Sequence, residues 1–179
     1  MSIKTFTVGE VLTAANTNTY LANSGLVYVT SATVGTAVTS VTVSSAFNTT
    51  YDNYLVVYNG GAMSVDTGIS LQLGSAVTNY YGNLIYGNYS NNTVLGLGEN
   101  NVTKFIYSGG GSSPSVYIEL INPFLALQTE IRCRVRYATV YGTYVGLQTN
   151  GTSFTAFTLA PFSGTMTGGT ITVYGYRKA

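Results

Sequence analysis

The sequence contains no histidine and no tryptophan, and it has a single cysteine, Cys133. Histidine is the commonest general base and a frequent metal ligand, so its absence removes the most familiar catalytic and zinc-binding arrangements. The six carboxylates are widely scattered, and neither a Walker sequence nor a GxSxG elbow occurs. One cysteine cannot form an internal disulfide. We therefore expect a protein that is not an enzyme and that uses no cofactor or metal.

Charged residues are also scarce, because they make up only 7% of the chain, against about 25% in ordinary soluble domains. The formal net charge is +1, so little electrostatic repulsion keeps copies of the chain apart. No run of about 18 apolar residues occurs, and the N-terminus lacks the apolar stretch of a signal peptide. We expect a protein made in a cytoplasm that joins an assembly and has no membrane partner.

The residues that are abundant favour strands and tight turns. The chain has 16 Tyr and 21 Gly, with many Thr and Val, and this composition predicts an all-β fold. Apolar and alternating runs predict strands near residues 26–30, 34–43, 54–58, 69–73, 80–86, 104–107, 116–121, 130–141, 144–148, 154–159 and 171–176. Their spacing indicates one antiparallel β-sandwich domain, jelly-roll-like, over residues 26–179. The triple glycine at 109–111 is expected to be the most flexible connection.

Residues 8–23, VGEVLTAANTNTYLAN, are the only stretch that resembles a helix. Thr13 can cap the first turn with its hydroxyl. A helix this short is marginal in water and needs a surface to dock on. We therefore interpret residues 1–25 as an N-terminal anchor, a short helix or extended segment, that precedes the sandwich. The predicted attachment contacts are Val11, Leu12, Ala15, Tyr20 and Leu21.

Three arginines form the one concentrated electrostatic feature of the sequence. Arg132, Arg134 and Arg136 alternate with apolar residues, so on a strand they share one face. This spacing has two interpretations. One is a solvated or intersubunit face with Glu119 as a cross-strand partner, and the other is an anion site for phosphate, sulfated polysaccharide or an acidic protein surface. Three arginines without neighbouring lysines argue against nucleic acid.

A second candidate surface is the Tyr- and Asn-rich segment 79–93. Tyr80, Tyr81, Tyr86 and Tyr89 offer apolar ring faces with polar tips. Such residues can stack on sugar rings, form a rigid protein interface, or simply cover the outside of a Tyr-rich sandwich.

Spaced segments of the chain resemble tailed-bacteriophage virion proteins. The N-terminal segment GEVLTAA (9–15), with Asn18, Tyr20 and Leu21, is similar to the segment that precedes tail-fibre or decoration modules in those proteins. Residues 41–58 are similar to the opening of their β-sandwich heads, residues 163–176 to a closing strand, and residues 121–124 to a weaker element between them.

The resemblance implies a virion structural protein, commonly a homotrimer, whose anchor contacts a major capsid or tail protein. Residues 24–34 leave no room for a fibrous shaft, which favours an externally exposed capsid decoration or cement protein. The alternative is a tail-fibre or receptor-binding module that binds a host surface polysaccharide through the tyrosines or the arginine face. Two properties distinguish a decoration protein from a receptor-binding module, namely incorporation into particles and saturable binding to host glycans.

Overall fold

The computed structural model describes residues 7–16 and 25–178, and strands dominate it. One helical turn, α1 (Ala14–Asn16), precedes the strands. The strands are β1 (Leu26–Thr33), β2 (Val41–Val43), β3 (Asn53–Asn59), β4 (Ala62–Met63), β5 (Ile69–Leu73), β6 (Tyr80–Asn88), β7 (Thr93–Val102), β8 (Val116–Ile121), β9 (Thr129–Tyr137), β10 (Val140–Gln148), β11 (Phe157–Pro161), β12 (Met166–Thr167) and β13 (Thr170–Tyr176). In this described part of the chain, no helix has the length and apolar character needed to cross a membrane.

The strands form a large sheet and a small one that pack against each other. The large sheet has eight strands in the order β1-β13-β3-β8-β9-β10-β6-β7, and the small sheet has the order β2-β11-β5. A short ribbon pairs β12 with β4, and all named pairings are antiparallel. The predicted all-β sandwich is confirmed, but the uneven distribution of strands differs from the paired sheets of a jelly roll.

The core lies between the two sheets and follows the two-residue period of the strands. In β9, Ile131, Cys133 and Val135 are buried, whereas the arginines between them are exposed. Phe157 and Leu159 of β11 face the large sheet from the small one and are fully buried. Burial of these side chains supplies most of the stabilising free energy, at roughly 25 cal/mol per Å² of apolar surface.

Four fully buried tyrosines carry their hydroxyl groups into this core, where each forms a hydrogen bond. The Tyr54 hydroxyl donates to the Asn48 carbonyl at 2.9 Å and accepts from the Asn48 amide at 2.8 Å. The Tyr58 hydroxyl donates to the Gly168 carbonyl at 3.1 Å. These three bonds fasten loops to β3, the strand between β13 and β8.

Several predicted strands have different limits in the structure. The run 34–43 is not one strand, because Ala37 has a positive φ of 53° and only Val41–Val43 pairs with β11. The predicted strand 104–107 is reduced to a bridge between Phe105 and Leu71. The predicted loop 87–93 is shorter, since β6 runs on to Asn88 and β7 begins at Thr93.

The triple glycine is not the flexible connection that composition predicted. Gly109, Gly110 and Gly111 are all buried. The Gly111 amide donates to the Thr67 carbonyl at 3.0 Å, and the Ile69 amide donates to the Gly109 carbonyl at 2.9 Å. A Cβ on Gly110, where φ is +150°, would lie 2.5 Å from the Thr67 carbonyl oxygen. The glycines therefore allow this segment to pack closely against the backbone that leads into β5.

Gly110→Ala is expected to destabilise the protein by about 2 kcal/mol or more, because both the positive φ and the close carbonyl oppose a side chain. Gly98→Ala is the control, since its nearest neighbour would be an Asn83 side-chain oxygen at 3.6 Å, an ordinary contact. Urea unfolding of both variants measures the difference. Equal stability of the two variants would show that the triple glycine does not need its close approach.

Candidate functional site

The described part of the N-terminal segment lies outside the core. The Thr13 hydroxyl accepts a hydrogen bond from the Asn16 amide at 3.1 Å, so the predicted cap of the first helical turn is present. Val11 and Leu12 are 77% and 51% exposed, and Ala15 is exposed too. The predicted contacts Tyr20 and Leu21 lie outside the described residues. Three of the five predicted attachment residues are thus accessible to another molecule.

The four tyrosines of segment 79–93 do not form one surface, because three of them lie in β6, whose residues alternate between two faces. Tyr80 is fully buried, which makes it wrong as an interface residue. Tyr86 points to the same side and is half-buried against the core. Tyr81 lies on the opposite, outer face and is half-buried. Tyr89, in the turn after β6, is 68% exposed and donates to the Ala138 carbonyl at 2.8 Å.

Tyr80 has a structural role at the end of the core. Its hydroxyl accepts a hydrogen bond from the Leu73 amide at 2.9 Å and donates to the Ala76 carbonyl at 3.3 Å. Its ring packs edge-on against Phe105, with 4.8 Å between the ring centres. Burial raises the pKa of Tyr80 to about 12, so the hydroxyl keeps its proton at neutral pH. Tyr80 fixes the turn after β5.

The three arginines lie on the outer face of the large sheet, as their spacing predicted. The predicted register with Glu119 is confirmed, because Glu119 and Arg132 are directly paired across β8 and β9. The two side chains nevertheless bond elsewhere. Arg132 binds Glu130 at 2.8 Å, and the Glu119 carboxylate accepts from the Tyr176 hydroxyl at 2.8 Å. Among the described residues, Arg134 and Arg136 have no ion-pair partner.

A groove of about 520 Å³ lies beside these two arginines and is lined by Ser115, Tyr117, Arg134, Arg136 and Tyr141. Tyr117 and Tyr141 are 47% and 55% exposed. Tyr141 is the cross-strand partner of Arg136, and the pairing of Ile118 with Cys133 places Tyr117 beside Arg134 by the same register. The two arginines on β9 are flanked by Tyr117 on β8 and Tyr141 on β10, and the volume is typical of ligand sites. We call these five residues the outer groove.

Sequence reasoning missed the two tyrosines of the outer groove because it treated residues 130–141 as one strand. A two-residue turn at Ala138 and Thr139 instead folds the chain back and places Tyr141 opposite Arg136. Ala138 has a positive φ of 46°, and its amide donates to the Asp66 carboxylate at 2.8 Å. This turn lacks the Asn-Gly or Gly-rich signal of short hairpins. The one sequence signal was the two-residue spacing of Tyr117 and Glu119, which places Tyr117 on the same face as Glu119 and therefore on the face of the arginines.

The end of the large sheet exposes apolar side chains on the hairpin formed by β6 and β7. Leu95 and Leu97 are 49% and 42% exposed, although their pairing with Tyr86 and Leu84 turns them toward the core side. Val94 and Ile85 are 76% and 66% exposed on the other side. The three-stranded sheet is too narrow to cover β7, which is an edge strand. We call Leu95 and Leu97, the pair on the core side, the hairpin patch.

One carboxylate of the described residues lies in an unusual environment. The Tyr144 hydroxyl donates to Glu99 Oε2 at 2.6 Å, while Glu99 Oε1 has no hydrogen-bond partner. Desolvation raises the pKa of Glu99, and the bond from Tyr144 opposes that rise. Desolvation and the neighbouring carboxylate both raise the pKa of Tyr144. The pair joins β7 to β10 across β6 and stabilises the base of the hairpin.

Tyr80→Phe is expected to lower the free energy of unfolding by about 1–3 kcal/mol, because the buried Leu73 amide loses its acceptor. Tyr81→Phe is the matched control on the other face of β6, where a half-buried hydroxyl faces outward. Chemical denaturation of both variants checks this. An unchanged midpoint for Tyr80→Phe would contradict the structural role.

The described residues contain no group of three or more His, Cys, Asp or Glu side chains placed to hold a metal ion. No model of a known protein family matches the sequence, and no curated protein is significantly similar to it. The N-terminal segment, the outer groove and the hairpin patch are the surfaces from which we argue a function.

Proposed function

We propose that this chain is a non-enzymatic structural protein of a tailed-phage virion, an externally exposed capsid decoration or cement protein. Residues near Val11 and Leu12 attach it to a major capsid or tail protein, and the β-sandwich projects outward. The observation that carries the proposal is the exposure of these two apolar side chains outside a body that has its own complete core. The resemblance of residues 9–15 to the N-termini of virion proteins supports the same role.

The physical basis of attachment is the weakness of the N-terminal segment in isolation. A helical turn of three residues, Ala14–Asn16, cannot persist on its own hydrogen bonds. Docking on a particle covers the apolar side chains of Val11 and Leu12, and this burial favours binding by roughly 25 cal/mol per Å². The segment therefore orders most fully on its partner, and the sandwich contributes any further contacts.

The proposed assembly is a homotrimer. The hairpin patch supports self-association, because β7 is a ten-residue edge strand without lysine or proline, the residues that usually protect such edges. The low charge of the chain opposes association only weakly. Contact between copies through the hairpin patch would cover Leu95 and Leu97.

A second candidate function is a receptor-binding module of the virion that grips a host surface polysaccharide. The outer groove favours it, since two unpaired arginines and two exposed tyrosines line one concave site. A decoration protein does not need such a site. Adsorption of the purified chain to host cells separates the two roles.

Val11→Asp combined with Leu12→Asp is expected to reduce incorporation into particles at least tenfold, the effect of losing about 1.4 kcal/mol of binding free energy from apolar contact. Deletion of residues 1–23 should abolish incorporation while the sandwich stays folded. Purified chains are mixed with particles lacking the protein, and co-sedimentation is measured. Val77→Asp, at a site that is 56% exposed on the body, is the control. Normal incorporation of the truncated chain would refute attachment through this segment.

Light scattering on the full chain is expected to give three times the chain mass of 18.9 kDa. Leu95→Lys with Leu97→Lys should shift the protein to monomers, because lysine on an edge strand opposes pairing between copies. Val65→Lys, elsewhere on the surface and 46% exposed, should leave the mass unchanged. A monomeric wild-type chain would exclude the trimer, and a trimer that survives both lysines would exclude the hairpin patch as its contact.

A further inference from the structure

We propose that the outer groove binds an acidic carbohydrate, a chain of pyranose rings that bear carboxylate or sulfate groups. This carbohydrate is the class of host polysaccharide that the second candidate function requires. The proposal rests on that function for its biological role, whereas the binding itself is argued from the groove. Its physical basis is the geometry of Tyr117, Arg134, Arg136 and Tyr141.

Two arginines of the groove have no ion-pair partner among the described residues. Arg134 and Arg136 are exposed on the same face of β9, two residues apart, which separates their Cα atoms by about 6.6 Å. The nearest carboxylates along this face are already engaged. Glu119 accepts from Tyr176, and Glu130 binds Arg132. The two guanidinium groups therefore retain their donors for an external anion, which they can bind bidentately.

Two exposed tyrosines lie on either side of these arginines. Tyr117 on β8 and Tyr141 on β10 flank β9, so their backbones are separated by two strand spacings of about 4.8 Å each. Each presents a ring that is about half exposed. A tyrosine ring has an apolar face for the C–H side of a sugar and a hydroxyl for the sugar's own hydroxyls. Ser115 adds another hydroxyl at the groove's end.

The groove is built on strands and has the volume of a ligand site. Tyr117, Arg134, Arg136 and Tyr141 all lie on strands of the large sheet, whose opposite face is the core. The backbone therefore needs little ordering when a ligand binds, and this low entropic cost favours affinity. A volume of about 520 Å³ accommodates a short oligosaccharide rather than a lone ion. Two arginines are too few for the many phosphate contacts that give proteins affinity for nucleic acid.

The test is calorimetric titration of the purified full chain with three size-matched oligosaccharides and with inorganic sulfate. The probes are a galacturonate hexamer, a sulfated dextran hexamer and a neutral dextran hexamer. We expect saturable binding of at least one acidic hexamer. Comparing the galacturonate hexamer with the sulfated dextran hexamer shows whether the groove prefers carboxylate or sulfate. The neutral hexamer and inorganic sulfate should bind at least tenfold more weakly. Equal affinity for inorganic sulfate and the acidic hexamers, or no binding of either acidic hexamer, would overturn the proposal.

Variants locate the binding on the groove. Arg134→Gln with Arg136→Gln should weaken binding of the acidic hexamer at least about tenfold, because charge-assisted hydrogen bonds are lost. Arg132→Gln is the matched control on the same face, and its effect should stay within about twofold, since Arg132 is already paired with Glu130. Tyr117→Ala with Tyr141→Ala should weaken hexamer binding while leaving any inorganic sulfate binding unchanged. Equal losses for Arg132→Gln and the double arginine variant would show non-specific charge attraction and overturn the site.

None of these side chains is buried, so every variant should keep a cooperative thermal unfolding transition above the temperature of the titrations. The titrations use the isolated chain and do not depend on attachment to a particle. Failure of the glycan proposal therefore leaves the particle co-sedimentation result intact, and failure of co-sedimentation leaves the titrations interpretable.

Discussion

The requirement that every buried tyrosine hydroxyl find a partner organises the sandwich. Tyr54, Tyr58, Tyr80 and Tyr144 have no solvent exposure, and an unpaired hydroxyl in the core would cost about 1–3 kcal/mol. Each hydroxyl therefore bonds to a loop carbonyl, to the amide at the end of β5 or to a carboxylate on β7. The rings provide apolar area, and the hydroxyl groups fix the loops. A chain without tryptophan and with few charges obtains both packing and specificity from one residue type.

The unequal size of the two sheets determines which surfaces remain for function. Eight strands on one side face three on the other, so the end of the large sheet at β7 is uncovered and its outer face is continuous. The outer face carries the outer groove, and the uncovered end carries the hairpin patch. The two surfaces have different chemistry, since the groove combines cations with aromatic rings and the patch is aliphatic. The fold therefore separates a site suited to a polar ligand from one suited to another copy of the chain.

The sequence predicted the fold class and the face of the arginines because both depend on local patterns. The alternation of Arg132, Arg134 and Arg136 with buried residues is a two-residue period, which a strand converts directly into two faces. The limits of the strands depended on distant contacts. The Ala138 turn is held by Asp66, and the buried glycines at 109–111 are held by Thr67 and Ile69. Composition cannot reveal such contacts, so the hairpin, and with it Tyr141 in the groove, was not foreseen.

Because charged residues are scarce in this chain, two exposed arginines without an ion-pair partner are an unusual feature of its surface. In a highly charged protein, an exposed arginine without a partner would be ordinary, because many solvated charges cover the surface. Here the carboxylates of the sandwich are engaged by other partners, namely Asp52 with Lys178, Asp66 with the Ala138 amide, Glu99 with Tyr144, Glu119 with Tyr176 and Glu130 with Arg132. A bond from a hydroxyl or an amide leaves a carboxylate its negative charge, but none of these five carboxylates forms an ion pair with Arg134 or Arg136. The guanidinium donors of the outer groove therefore stay open because of where the few acidic side chains lie, and not because the protein is strongly basic, since its formal net charge is only +1.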